Sequence, residues 1–130
     1  MRDIPGWKGT GGFTLIELLV IVSFIAILAS IAINRYPAVR DLAVDAAAKS
    51  DLKNAFKAEE VYYADHGEYV AFEVSDGGSA EEIGFNASQG VSLTATVENG
   101  GLRIVGSHAS SSKTWCVSSE SGNVTEGSSC

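Results

Sequence analysis

The chain is poor in the residues that build catalytic and metal centres. It has two cysteines, Cys116 and Cys130, and two distant histidines, His66 and His108, at spacings that match no metal pattern. There is no Gly-x-Ser-x-Gly elbow, P-loop or Cys-x-x-Cys, and Ser107-His108 has no acid placed to complete a triad. Basic residues are scarce in the distal part. Residues 64–130 hold only Arg103 and Lys113 against nine carboxylates, which argues against a phosphate-binding footprint there and for a solvated surface. Aromatics make up 8% of the chain, and Tyr36, Phe56, Tyr62, Tyr63 and Tyr69 suit helix packing better than an electron-conducting path. Asp65-His66-Gly67-Glu68 reads as a solvated helix end and not a metal site. Asn86-Ala-Ser88 and Asn123-Val-Thr125 fit the N-glycosylation pattern and are read as chance matches.

What the chain does have is one concentrated apolar run. Its 130 residues carry a formal net charge of −7, yet 45% of them are hydrophobic. Of the 21 positions from Phe13 to Ile33, 17 are hydrophobic, and Leu18 to Ile33 contains no charge. As a helix this run is about 31 Å long, close to the thickness of a bilayer's hydrocarbon core. It is apolar on all sides, so it suits a membrane or a filament core. The preceding residues 1–12, with Pro5 and four glycines, have no apolar period and read as a leader.

Beyond Pro37 the pattern becomes amphipathic. Ala48, Leu52, Ala55, Phe56, Tyr62 and Tyr63 recur at helical spacing, with Asp41, Asp45, Lys49, Lys53 and Lys57 on another face. Asp45 and Lys49 stand in the favourable i,i+4 order. A helix is expected to about Asp65, stopping at Gly67. Residues 66–90 are punctuated by glycine and read as loop. Val91–Val97 alternates as a strand, Glu98-Asn99-Gly100-Gly101 signals a hairpin, and Leu102–Ser107 and Thr114–Ser118 supply two further strands. Glu120–Cys130 reads as a Ser/Gly loop. The expected fold class is α+β: a long N-terminal helix packed on a small antiparallel β-sheet. The expected division is a leader at 1–12, a transmembrane or filament-core helix at 13–36 and a globular head at 37–130. A sheet region of about 65 residues is marginal for a core of its own. The amphipathic half-helix supplies the missing partner. A Cys116–Cys130 bridge, open to the pair in an oxidising compartment, would add about 3 kcal/mol.

The informative stretch is Gly11-Gly12-Phe13-Thr14-Leu15-Ile16-Glu17-Leu18-Leu19-Val20. Glu17 puts a carboxylate at the edge of a membrane helix, a costly position that calls for compensation. A capping box, with Thr14 as N-cap and Glu17 at the third helical position, offers one local account. A secretory signal peptide fits poorly, because Glu17 heads the apolar region and the uncharged run is too long.

Gly-Phe-Thr-Leu-Ile-Glu followed by a long apolar helix resembles the class III signal of type IV pilins and the related pseudopilins. The resemblance covers about residues 11–64, and extends to the run Tyr62-Tyr63-Ala64-Asp65-His66-Gly67-Glu68-Tyr69. It implies cleavage by a prepilin peptidase between Gly12 and Phe13, N-methylation of Phe13, and pairing of Glu17 with the Phe13 ammonium of a neighbouring subunit. It further implies a non-enzymatic homo-oligomeric filament subunit, held in membrane lipid at the inner membrane as a single-pass precursor. An inner-membrane platform would then assemble it into an extracellular pilus for adhesion, twitching motility or DNA uptake. No cofactor or metal and no direct nucleic-acid contact from the exposed face are implied. Cys116 and Cys130 resemble the disulfide-closed loop of pilins. Pseudopilins commonly hold a calcium loop there, and residues 107–130 offer only Glu120 and Glu126 as side-chain carboxylates. The alternatives are a type II secretion pseudopilin and a membrane-anchored domain that never polymerises. Many relatives carry proline where Asn34 stands and glycine where Ala26 stands, so a kink or weakened helix is expected around Asn34–Pro37.

Overall fold

The computed structural model describes residues 11–130, so most of the expected leader lies outside the described residues. One helix, α1, runs Leu15–His66. Seven strands follow: β1 (Phe72–Val74), β2 (Ser79–Ala80), β3 (Phe85–Asn86), β4 (Val91–Glu98), β5 (Gly101–His108), β6 (Thr114–Ser118) and β7 (Thr125–Glu126). A 3-10 turn, Glu81–Ile83, sits between β2 and β3. The chain divides into a compact unit ending at Pro37 and another from Ala38 to Cys130.

In the first unit, the large apolar side chains from Phe13 to Ile33 are 42–78% exposed. The helix is long and apolar enough to cross a membrane, and none of that span is buried in the monomer. Three of its few polar side chains turn back onto the helix. Ser23 Oγ donates to the Leu19 carbonyl and Ser30 Oγ to that of Ile27, each at 2.7 Å. Asn34 Nδ2 donates to the Ser30 carbonyl at 3.1 Å. Such back-bonding hides polar groups that lipid could not satisfy. Helical structure continues through Asn34–Pro37, although Pro37 has no N–H to give the preceding turn.

In the second unit, one face of α1 lies on a five-stranded antiparallel sheet of order β1-β4-β5-β6-β7. Ala48, Leu52 and Ala55 are fully buried against Val91, Leu93, Ala95, Leu102, Ile104, Trp115 and Val117. The alternation in β4 and β5 produces this directly, since every second side chain faces the helix. Asn99-Gly100, with φ of 53° and 80°, forms the two-residue hairpin between β4 and β5. Across the sheet, Leu93, Gly106 and Trp115 fall in one row. Gly106 leaves a saddle between two large side chains. A Cβ there would overlap Leu93 Cδ2 and meet Leu52 Cδ1 at 3.3 Å. The missing side chain lets helix and sheet approach closely.

The structure departs from the sequence reading in the connections. Residues 66–90 are not all loop: they hold β1, β2, the 3-10 turn and β3, with β1 extending the main sheet and β2 pairing β3 in a separate ribbon. The Ser/Gly tail contains β7, paired with β6. These strands have two or three residues, too few for a two-residue period to register.

Candidate functional site

The chemistry-bearing stretch sits where α1 begins. Gly11 to Thr14 precede the helix and Leu15 opens it. Thr14 is the N-cap: its Oγ1 accepts the Glu17 N–H at 3.3 Å, and its carbonyl accepts from Leu18 N–H at 3.2 Å. Only half of the expected capping box is present. No reciprocal bond from the Glu17 carboxylate to the Thr14 N–H occurs among the described residues. That carboxylate makes no ion pair among them either. Gly12, Phe13 and Glu17 come together around a shallow concavity of about 190 Å³ that Gly11 also lines. A side chain at Gly11 or Gly12 would meet nothing within 4 Å among the described residues. Phe13 is 77% exposed. Among the described residues, the helix N-terminus thus presents a peptide bond clear of neighbours, an exposed aromatic ring and an acid without an ion pair within one turn.

Cys116 and Cys130 form a disulfide with Cα atoms 5.7 Å apart, tying β6 to the segment after β7. Cys116 is fully buried. Gly67, with φ of 77°, closes α1 by donating to the Tyr63 carbonyl at 2.8 Å. Tyr63 stacks on Tyr69, whose hydroxyl donates to Glu60 Oε1 at 2.8 Å. Burial, with the Glu60 carboxylate beside it, pushes the Tyr69 phenol up to about 12, so it stays a donor. His66 stacks on Tyr62.

The sequence reading missed three carboxylates on the buried face of α1. Asp45 falls in a charged row by spacing, yet it is buried and accepts a hydrogen bond from the Ser111 hydroxyl. It does not pair with Lys49. Lys49 instead lies over the Trp115 ring, 3.7 Å from its centre. Asp51 accepts from the Ser88 N–H at 2.6 Å and the Ser88 hydroxyl at 3.1 Å. Glu59 is fully buried; its Oε2 accepts from the Val70 N–H at 3.1 Å, while Oε1 has no partner. Burial raises the Glu59 pKa, the Val70 bond opposes that, and nearby Glu60 and Glu82 add to it. The three acids therefore hold three separate connections against one helix. A faint signal existed in their spacing, since all three share a face with Ala48, Leu52 and Ala55.

No protein-family model matches the chain. It is 42% identical over 64 residues to the type IV wide pilus major component PilA4 of Thermus thermophilus, covering 49% of each chain. It is 35% identical over 79 residues to the type IV major pilin protein PilA of Myxococcus xanthus, covering 61% of this chain and 33% of that one. The chain thus spans about half and one third of the length of these relatives. With the Gly-Phe-Thr-Leu-Ile-Glu stretch heading an exposed apolar helix, and residues of the same helix beyond Pro37 packed on an antiparallel sheet, the chain is similar to these type IV pilins over the matched residues.

Proposed function

We propose that the chain is the structural subunit of a type IV pilus, working by assembly and not by catalysis. The observation that carries this is the head of α1. An exposed Phe13 next to Gly12, and a Glu17 with no ion pair among the described residues, stand before a span whose large apolar side chains are all exposed in the monomer. Such a span needs a host. Lipid serves before assembly, and neighbouring helices serve afterwards.

In this reading a prepilin peptidase cuts between Gly12 and Phe13 and methylates the new amine. The Phe13 ammonium then meets Glu17 of an adjacent subunit. The pairing offsets the desolvation of both charges in an apolar helix bundle and fixes helix register. The precursor spans the inner membrane once, and an assembly platform there moves it into an extracellular filament used for adhesion, motility or DNA uptake. Asn34–Pro37, where the helix lacks one N–H donor, is the segment that loosens during this transfer. Cleavage removes a net +1, so the mature side chains carry −8.

Intact mass of the chain from its own cells tests the reading. Loss of residues 1–12 with gain of one methyl group is expected, and an uncut chain overturns it. Glu17→Ala should abolish filament assembly while the protein persists in the membrane. Filament yield equal to wild type refutes the pairing.

A further inference from the structure

The acidic head raises a problem for any filament. Residues 38–130 carry six basic and fourteen acidic side chains. Identical subunits of that charge repel one another unless opposite charges face across the contact.

Where the basic groups lie is informative. Arg103 pairs with Glu98 and Lys113 with Glu126, while Lys49 is taken up by Trp115. Arg40, Lys53 and Lys57 make no ion pair among the described residues, and all three are exposed on α1. Lys53 and Lys57 share the outer face of the helix, opposite the sheet, with Val39, which is 62% exposed. Glu60 stands beside Lys57 but accepts from the Tyr69 hydroxyl, so the face is basic on balance, partly apolar and without an ion pair among the described residues.

Past the edge of that face, where Val61 lines a concavity with Glu82 and Ile83, lies a surface of matching character. A groove of about 140 Å³ has Val70, Phe72 and Ile83 among its lining, together with Glu73, Glu81 and Glu82. The three glutamates are exposed and make no ion pair among the described residues. The three apolar residues are only half-buried. A lysine suits such a groove, because its aliphatic stem can lie on apolar surface while its ammonium reaches carboxylates.

We propose that this groove receives the Lys53–Lys57 face of α1 from a second copy of the chain. The proposal rests on the filament reading. The occupant is a second copy because the chain supplies both complementary halves, each mixing apolar surface with charge of one sign. The two halves are different patches. The contact is therefore heterologous, head to tail, and propagates into an open helical array when its rotation does not close. It gives the subunit a polarity independent of the apolar span.

The test uses the full chain in its own cells, reading sheared filament yield and the membrane level of unassembled subunit. Lys53→Glu with Lys57→Glu, and separately Glu81→Lys with Glu82→Lys, should each lower filament yield at least about tenfold through like-charge apposition, with subunit level unchanged. All four substitutions together should restore most of the yield. A second measurement avoids charge reversal: Lys57→Cys with Glu82→Cys should give a disulfide-linked dimer ladder in sheared filaments. Wild-type filaments combined with no rescue and no ladder overturn the groove contact alone. Absence of wild-type filaments overturns the filament reading and this contact with it.

Discussion

The Gly106 saddle gives the sharpest stability prediction. In Gly106→Ala, the new methyl overlaps Leu93 Cδ2 and reaches Leu52 Cδ1 at 3.3 Å, inside ordinary carbon–carbon contact. Both leucines are fully buried, so neither has open space to retreat into. Two effects compete. Alanine is favoured over glycine within a strand by about 0.5–1 kcal/mol. Overpacking a tight core costs about 1–3 kcal/mol. Overpacking wins, for a net loss of about 1 kcal/mol. In a unit of this size that lowers the melting temperature by about 4–8 °C. Purified chain in detergent, followed by near-ultraviolet circular dichroism of the head, reads the change. The control is Leu93→Ala, which opens room beside position 106. In that background Gly106→Ala should be neutral or stabilising, giving a coupling of about 1–2 kcal/mol. A rise in melting temperature for Gly106→Ala alone, or an equal effect in both backgrounds, would refute the close-approach reasoning.

Two further outcomes follow from buried groups. Glu59→Gln keeps an acceptor for the Val70 N–H but removes the buried charge. Because Glu59 is raised above 4.5 in the fold, the folded state binds its proton more tightly than the unfolded chain. Wild type therefore loses stability as pH rises from about 4.5 through the folded value, and the charge penalty is fully present above it. The Gln variant should lack that decline, and urea titrations at several pH values that give parallel curves for the two proteins would sink the argument. Cys130→Ala removes the cross-link at its exposed end without disturbing the buried Cys116 sulfur. The closed segment of 15 residues predicts a loss of about 3 kcal/mol, read as a lower urea midpoint, and an unchanged midpoint contradicts it.

The sequence made the regular parts legible for physical reasons. Val91, Leu93 and Ala95 alternate strictly because one sheet face is buried, and Asn99-Gly100 marks the only two-residue hairpin chemistry in that region. The Gly12-Phe13 and Glu17 stretch was legible because a carboxylate heading an apolar helix needs a reason. Asp45, Asp51 and Glu59 were not. Charge at helical spacing reads as a solvated face, and the partners of Asp45 and Asp51 lie 66 and 37 residues away. Nothing local announces Ser111 or Ser88 as the groups that make burial tolerable. The short strand β1 escaped because its pairing with β4 is long-range, and β2 and β3 because two residues each show no period. Gly106 escaped because glycine within a strand usually weakens it, and its use here depends on which residues flank it across the sheet.

The three buried acids also have a mechanical consequence. Along the helix axis, Asp51 stands about 9 Å from Asp45, and Glu59 about 12 Å further on. Each grips a different connection of the head. A pull along α1 therefore loads three anchors in parallel, in shear, with the acid of each buried on the helix. Tension applied through the helix is shared along about 21 Å of its length. The head resists being dragged off its helix by distributing force, so its resistance does not hang on any single contact.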